Sequence, residues 1–449
     1  MGTSLSLTDI DMIEIKECVN KISMAQHNCA ECNVIDCPRR NTSGENFKIL
    51  SDYASYEAEP LRPVIGIDIG TTTLAFEEIT SDGKRFFFTD VNPQRRFGAD
   101  VLSRIESAEQ GKAEEMHNII TQSIVRGVQK LIGDSKTQPE KIVISGNTTM
   151  MHLLLSYPCK DLGVYPFKPY STDTVHTTFA RLTGSNVCDA EIDIICPISA
   201  FVGGDIVSGL YACNIYRDED ISLFVDLGTN GELALGNKEK ILVSSTAAGP
   251  AFEGGKIRCG NGSVDGAICG VDINDNGVNI RTIGEKKANG ICGTGIIELC
   301  AELLESSAMD YTGLLKEEYF EKGFKLTENT TVYQSDIREI QIAKSAVRTG
   351  IEILAEEYGI EIEKISKVFL AGAFGKGLNP EKACKIGLIP KQLKDKVVPV
   401  GNTSLGGAIR YALSDDGKEC TEYIQKISEN ISLAENPKFN ELYINNMNF

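Results

Sequence analysis

Val64-Ile-Gly-Ile-Asp-Ile69 is an apolar run broken by one carboxylate, and a second run, 73–79, follows it after a Gly/Thr turn. Apolar runs this short, bounded by Gly and polar residues, predict strands. Runs of this kind also fall at 85–91, 141–145, 222–226, 231–236, 240–244, 367–371 and 397–400. Between them apolar residues recur three and four positions apart. That spacing predicts helices over 98–110, 112–133, 147–156, 203–214, 293–306, 336–358, 379–385 and 404–414. Hairpins followed by crossover helices predict mixed sheets covered by helices, an α/β class. The hairpins at 64–79 and 222–236 each open such a block, so the body reads as two related lobes, 63–217 and 218–415, with a cleft between them. Ahead of it, 8–24 has helical spacing with Thr8 as N-cap, and 25–38 is a cysteine-bearing loop. Residues 1–40 therefore form a small Cys-rich segment and 41–62 a polar linker, while 416–449 is a C-terminal tail without a clear pattern.

Composition narrows the function. The 449 residues carry a net charge of −18, which disfavours nucleic-acid or anionic-membrane partners. No apolar run is long enough to span a bilayer, and the first residues lack the build of a signal peptide, so a cytoplasmic protein is expected. Ten of the 14 cysteines are scattered, mostly in apolar stretches, and read as small core residues. The other four, Cys18, Cys29, Cys32 and Cys37, give C-x10-C-x2-C-x4-C-P. Four thiolates so close together suit an iron–sulfur cluster or structural zinc, and the spacing leaves both open.

The two hairpins carry the candidate chemistry. Val64–Phe76 and Leu223–Leu235 share strand, Asp, Gly/Thr/Asn turn, strand. Glycines let backbone N–H groups point at an anion, and Thr hydroxyls add donors. Asp68 and Asp226 stand where a hydrated Mg²⁺ would bridge carboxylate and phosphate. The pair would clamp a nucleotide triphosphate through Gly70, Thr71, Thr72 and Thr73 on one side and Gly228, Thr229, Asn230 and Gly231 on the other. Further glycine turns follow strands at 368–377 and 400–407. Asn402, Thr403 and Ser404 begin a helix there, whose free N–H groups suit an anion or a nucleobase edge. Glu253 could orient an attacking water or serve as a cap, Glu232 is a weaker candidate, and Arg95 and Arg96 could face an anion or solvent.

This order of motifs resembles the actin-like ATPase superfamily of acetate and sugar kinases, Hsp70 and actin. The resemblance implies two ribonuclease-H-like lobes closing over ATP. In it Asp68 and Asp226 are the Mg²⁺-organising carboxylates, and Gly372, Ala373, Phe374 and Gly375 form the adenosine turn. Segments 92–105, 145–155, 201–205, 248–254 and 290–297 are similar to one subfamily, the ATP-dependent reductive activators of corrinoid proteins. That similarity implies one-electron reduction of Co(II) to Co(I) in the corrinoid protein of a methyltransferase system, an external low-potential electron donor, and ATP hydrolysis driving the uphill step. A homodimer is possible. An ATP-driven electron donor needs a redox centre, which favours an iron–sulfur cluster, [4Fe–4S] before [2Fe–2S], with zinc the alternative. Competing functions are electron donation to another low-potential metalloenzyme and phosphorylation of a small molecule.

Overall fold

The computed structural model describes residues 62–275, 277–372 and 377–449. The first large sheet comprises β1 (Val64–Ile69), β2 (Thr73–Ile79), β3 (Arg85–Val91), β4 (Lys141–Gly146), β5 (Val175–Thr178) and β6 (Glu191–Ile194), in the order β3-β2-β1-β4-β6-β5. The next strands are β7 (Ser222–Leu227), β8 (Gly231–Gly236) and β9 (Ile241–Thr246). A small sheet of β10 (Ala267–Asn274), β11 (Gly277–Thr282) and β12 (Gly290–Ile291) follows, then a ribbon of β13 (Phe324–Lys325) and β14 (Thr331–Val332). With β15 (Lys367–Ala371), β16 (Val397–Gly401) and β17 (Ser428–Asn430), the second large sheet has the order β16-β15-β7-β8-β9-β17. In each, three antiparallel strands form a meander and two more run parallel beside its first strand. The chain thus builds one ribonuclease-H-like topology twice, as expected.

Strand alternation places the two aspartates. Side chains point to opposite faces in turn. Ile65, Ile67 and Ile69 enter the core of the first lobe, whereas Val64 faces the apolar cluster shared by the two lobes. Asp68 is on the Val64 face, near the end of β1. In β7, Leu223, Val225 and Leu227 enter the core of the second lobe, and Phe224 joins the shared cluster, with Asp226 on its face. Both carboxylates therefore emerge between the lobes.

Two helices, Gly204–Ala212 and Thr403–Leu413, fill that space and cross in close contact. The Ser208 hydroxyl donates to the Ser404 carbonyl at 2.7 Å. A methyl group on Gly407 would come within 2.1 Å of the Ser208 carbonyl oxygen, so only glycine permits this approach.

Two regions differ from the sequence expectation. The helix expected over 98–110 is broken into a short helix at Val101–Ser107 and a π-turn at Ala108–Lys112, and a separate 3-10 turn at Pro93–Phe97 precedes it. Asp100 caps the helix by accepting from the Ser103 N–H at 2.8 Å, and Gly111 takes a left-handed conformation where it ends. Residues 416–449 pack on the second lobe. β17 pairs in parallel with β9, and Gln341 donates to the Met447 carbonyl at 2.7 Å. Eight of the ten scattered cysteines are buried, as expected of core residues. Among the described residues, no helix is long and apolar enough to cross a membrane.

Candidate functional site

A cleft of about 270 Å³ opens between the lobes. Gly70–Thr73 and Leu227–Asn230 form two of its walls, with Asp68, Asp205, Asp226, Glu232 and Glu253 set deep between them. Gly372, Gly401, Asn402 and Ser404 close it on the second lobe's side.

The first turn is braced from behind. The Asn92 amide donates to the Gly70 carbonyl at 2.8 Å and its backbone N–H to the Thr72 carbonyl at 2.9 Å. The Arg104 guanidinium donates to the Thr71 carbonyl. Because each peptide is planar, fixing these three carbonyls also fixes the direction of the N–H groups that follow them. Asn147 donates to the Thr71 hydroxyl at 3.0 Å. Arg104 is fully buried, and its remaining partners are the Gly98 carbonyl at 3.0 Å and the Met150 sulfur at 3.1 Å. Burial, reinforced by Arg95, pushes it down to about 9, so it stays charged at neutral pH. Among the described residues it has no carboxylate salt-bridge partner, and its charge lies beneath the Gly70–Thr73 turn.

The second turn is held differently. The Gly228 N–H donates to the Asn230 carbonyl at 2.9 Å, and the Thr229 hydroxyl to Glu253 at 2.7 Å. Glu253 ends the 3-10 turn Pro250–Glu253, which is started by Gly249 in an unusual conformation. Gly372 presses on Asp226 from the other side. Its φ of 87° and the 2.6 Å that would separate a Cβ from Asp226 Oδ1 both require glycine.

The carboxylates crowd one another. Burial is the main cause that raises Asp226, to about 8, with Asp205, Asp68 and Glu253 adding repulsion. Asp205 rises to about 7 through burial and the charge of Asp68. Glu232 is pushed well above its usual range by burial, then by Asp205 and Asp226. Asp68 and Glu253 are also raised by burial, opposed in one case by Ser404 and Asn402 and in the other by Thr229 and Arg95. Such a group calls for a cation. Among the described residues no three His, Cys, Asp or Glu side chains are close enough to hold a metal ion on their own. A hydrated Mg²⁺ fits this donor set, because it keeps several waters and takes one or two carboxylates together with phosphate oxygens.

Asp68, Asp226 and Glu253 and both glycine turns thus meet in one cleft. Ala373, Phe374, Gly375 and the four cysteines Cys18, Cys29, Cys32 and Cys37 lie outside the described residues. The helix start at 402–404 lines the cleft through Asn402 and Ser404. Asn402 caps its own helix by accepting from the Leu405 N–H at 2.9 Å, and its amide donates to Asp68 at 2.8 Å. Ser404 donates to the other Asp68 oxygen at 2.7 Å. This helix end thus spends two side-chain donors on the Asp68 carboxylate across the lobes. Asp205 was not anticipated as a site residue. Its signal is Gly203-Gly204-Asp at a helix start, where the side chain accepts from the Ile206 N–H at 2.9 Å. Arg96 turns out to pair with Glu115 at 2.6 Å, outside the cleft.

Residues 220–449 match the family described as the C-terminal domain of RACo, the ASKHA domain, and residues 64–218 match the RACo middle region. The chain is similar to the corrinoid activation enzyme RamQ of Eubacterium limosum, with 32% identity over 90% of this chain and 73% of that one. It is 26% identical, over 85% of its length and 76% of the relative, to a reductase of a Co(II) methylated-amine-specific corrinoid protein from Methanosarcina barkeri. Among solved structures, a reductive activator for a corrinoid, iron–sulfur protein superposes with a TM-score of 0.78 at 29% identity, covering 88% of this chain and 67% of that one.

Proposed function

The chain belongs to the RACo family, and from that premise we propose that it is an ATP-hydrolysing reductase that returns the cobalt of a corrinoid protein from Co(II) to Co(I). The observation that carries this reading is the pair of matched turns facing each other across a cleft with Asp205 and Asp226 between them. One turn would bind the phosphates through Gly70–Thr73 and the other through Gly228–Gly231. Asp226 and Asp205 would hold Mg²⁺ through its waters, and the ion supplies charge neutralisation to the phosphates. Asp68, already accepting from Asn402 and Ser404, would support the ion indirectly. Glu253, held by Thr229, would take the proton from the water that attacks the γ-phosphorus as the bond to the bridging oxygen breaks. Gly372–Gly375 would hold the adenosine.

One electron, drawn from an external low-potential donor, reduces Co(II) to Co(I), and ATP hydrolysis drives the change of protein conformation that makes the transfer proceed. Cys18, Cys29, Cys32 and Cys37 are the proposed ligands of an iron–sulfur cluster, [4Fe–4S] ahead of [2Fe–2S], that supplies the electron. The test mixes the chain with a Ti(III) reductant and a Co(II) corrinoid protein and follows the Co(I) absorption band. Appearance of the band only with MgATP supports the reading, and equal rates without ATP overturn it. Iron and zinc analysis after anaerobic purification decides the cluster: about four irons per chain supports it, and one zinc replaces it.

A further inference from the structure

The loop after the helix Thr148–Leu155 exposes a run of large apolar side chains. Tyr165 is 74% exposed, Tyr170 65% and Val164 56%. Phe167 joins Tyr165 edge-on, with ring centres 6.1 Å apart, and packs against Phe201 at 5.1 Å. Phe201 is also a wall of the nucleotide cleft. The patch is therefore continuous with the site. In a chain of net charge −18, the segment Tyr157–Tyr170 carries two lysines, Lys160 and Lys168, against one acid, Asp161. Water gains nothing from such a patch, and patches of this size on a single chain often mark contact surfaces.

We propose that this aromatic loop is where the corrinoid protein, the electron acceptor of the function proposed above and the premise on which this inference rests, docks beside the nucleotide cleft. Its partner face is apolar and rimmed by carboxylates that meet Lys160 and Lys168. The area argues for this occupant over a second copy of the chain. Large aromatic side chains carry about 150–250 Å² each, so the exposed fractions leave roughly 400–600 Å². Stable dimers bury about 800 Å² or more per partner, whereas electron-transfer encounters sit lower. A transient acceptor, which must leave after each electron, fits the smaller contact. Phe201 gives the docked partner a direct contact with the wall of the cleft, three residues before Gly204, where the helix that carries Asp205 begins. Nucleotide state and docking can then bias each other.

The experiment uses the full chain and its Tyr165→Ser/Tyr170→Ser variant, with the Co(II) form of a methylated-amine-specific corrinoid protein. The second-order rate of Co(I) formation should fall by about tenfold or more. Affinity for MgATP should stay unchanged, because neither residue lines the cleft, and the thermal midpoint should shift by no more than a few degrees, because Tyr165 packs on the exposed Phe167 and Tyr170 on the half-buried Tyr157. An unchanged Co(I) rate overturns the docking site while leaving the proposed function in place. If the variant instead abolishes a homodimer and leaves the Co(I) rate intact, the loop is a self-association surface and the proposal is wrong. If the unaltered chain yields no ATP-dependent Co(I), the proposed function itself falls, and the docking proposal with it.

Discussion

Asp68 and Asp226 occupy the same position of the same motif, yet they answer to different surroundings. Both oxygens of Asp68 accept hydrogen bonds from Asn402 and Ser404, side chains of the opposite lobe. Every neighbour that acts on Asp226 raises it, burial first and then three carboxylates. The turns differ in the same sense. The first is pinned by Asn92 and the buried charge of Arg104, while the second is held by its own Gly228–Asn230 bond and the hydroxyl–carboxylate bond from Thr229 to Glu253. A repeated motif thus serves in one lobe as a satisfied anchor and in the other as a buried group crowded by three carboxylates.

The sharpest way to break this contrast is to remove one charge at a time. Asp226→Asn should lower MgATP hydrolysis by about 10²–10³-fold, as loss of a charge-organising group at a reacting centre does. Asp68→Asn should act mainly on stability, costing about 2–3 kcal/mol as charge-assisted bonds across the lobes are lost. Steady-state ATPase and thermal melts on both variants check this, and equal effects on hydrolysis would erase the distinction. The brace comes next. Arg104→Met leaves the Thr71 and Gly98 carbonyls without their donor and removes the charge below the turn. Affinity for ATP, measured by titration calorimetry, should drop about tenfold to a hundredfold, a loss of roughly 1.4–2.7 kcal/mol.

The third effect is on pH dependence. Asp226 keeps its proton up to about pH 8 in the folded chain, whereas unfolded it loses it near pH 4. Between those values the folded state binds more protons, so this stabilising contribution is full below about pH 4 and fades as pH rises through 8. Melts in EDTA should therefore show a lower midpoint at pH 8.5 than at pH 6. MgADP should narrow the gap, and Asp226→Asn should reduce it, with Asp205 and Glu232 carrying the rest. The smallest effect belongs to the weaker tether. Thr229→Val should cost about 1 kcal/mol in nucleotide affinity, and a larger loss than that of Arg104→Met would reverse the ranking of the two turns.

Much of this was legible in the chain. Both hairpins, both aspartates and the two-lobed α/β plan follow from short apolar runs ending in Gly/Thr turns. What was not legible depends on partners far away in sequence. Nothing near Asn402 says that it will reach Asp68, 334 positions earlier. Asp205 shows only as one acid after two glycines, and its meaning comes from two carboxylates on other strands. Arg104 reads as the polar face of a helix until the helix proves to be one short piece wedged under a turn. β11 alternates exposed Gly277, Asn279 and Arg281 with half-buried Val278, Ile280 and Thr282, and β17 is Ser-Glu-Asn, so neither carries the unbroken apolar run that marks β1 and β7.

The crossing of the Gly204 and Thr403 helices has one more consequence. Each helix begins at the cleft, one with Asp205 and the other with the residues that grip Asp68, and they touch through Ser208 and Gly407 with no room for a methyl group. Two rods packed this closely cannot slide past each other there, and they are tied again where Arg410 donates to the Tyr211 carbonyl at 2.6 Å. The smallest side chains in the shared core thus couple the position of Asp205 to that of the residues that grip Asp68.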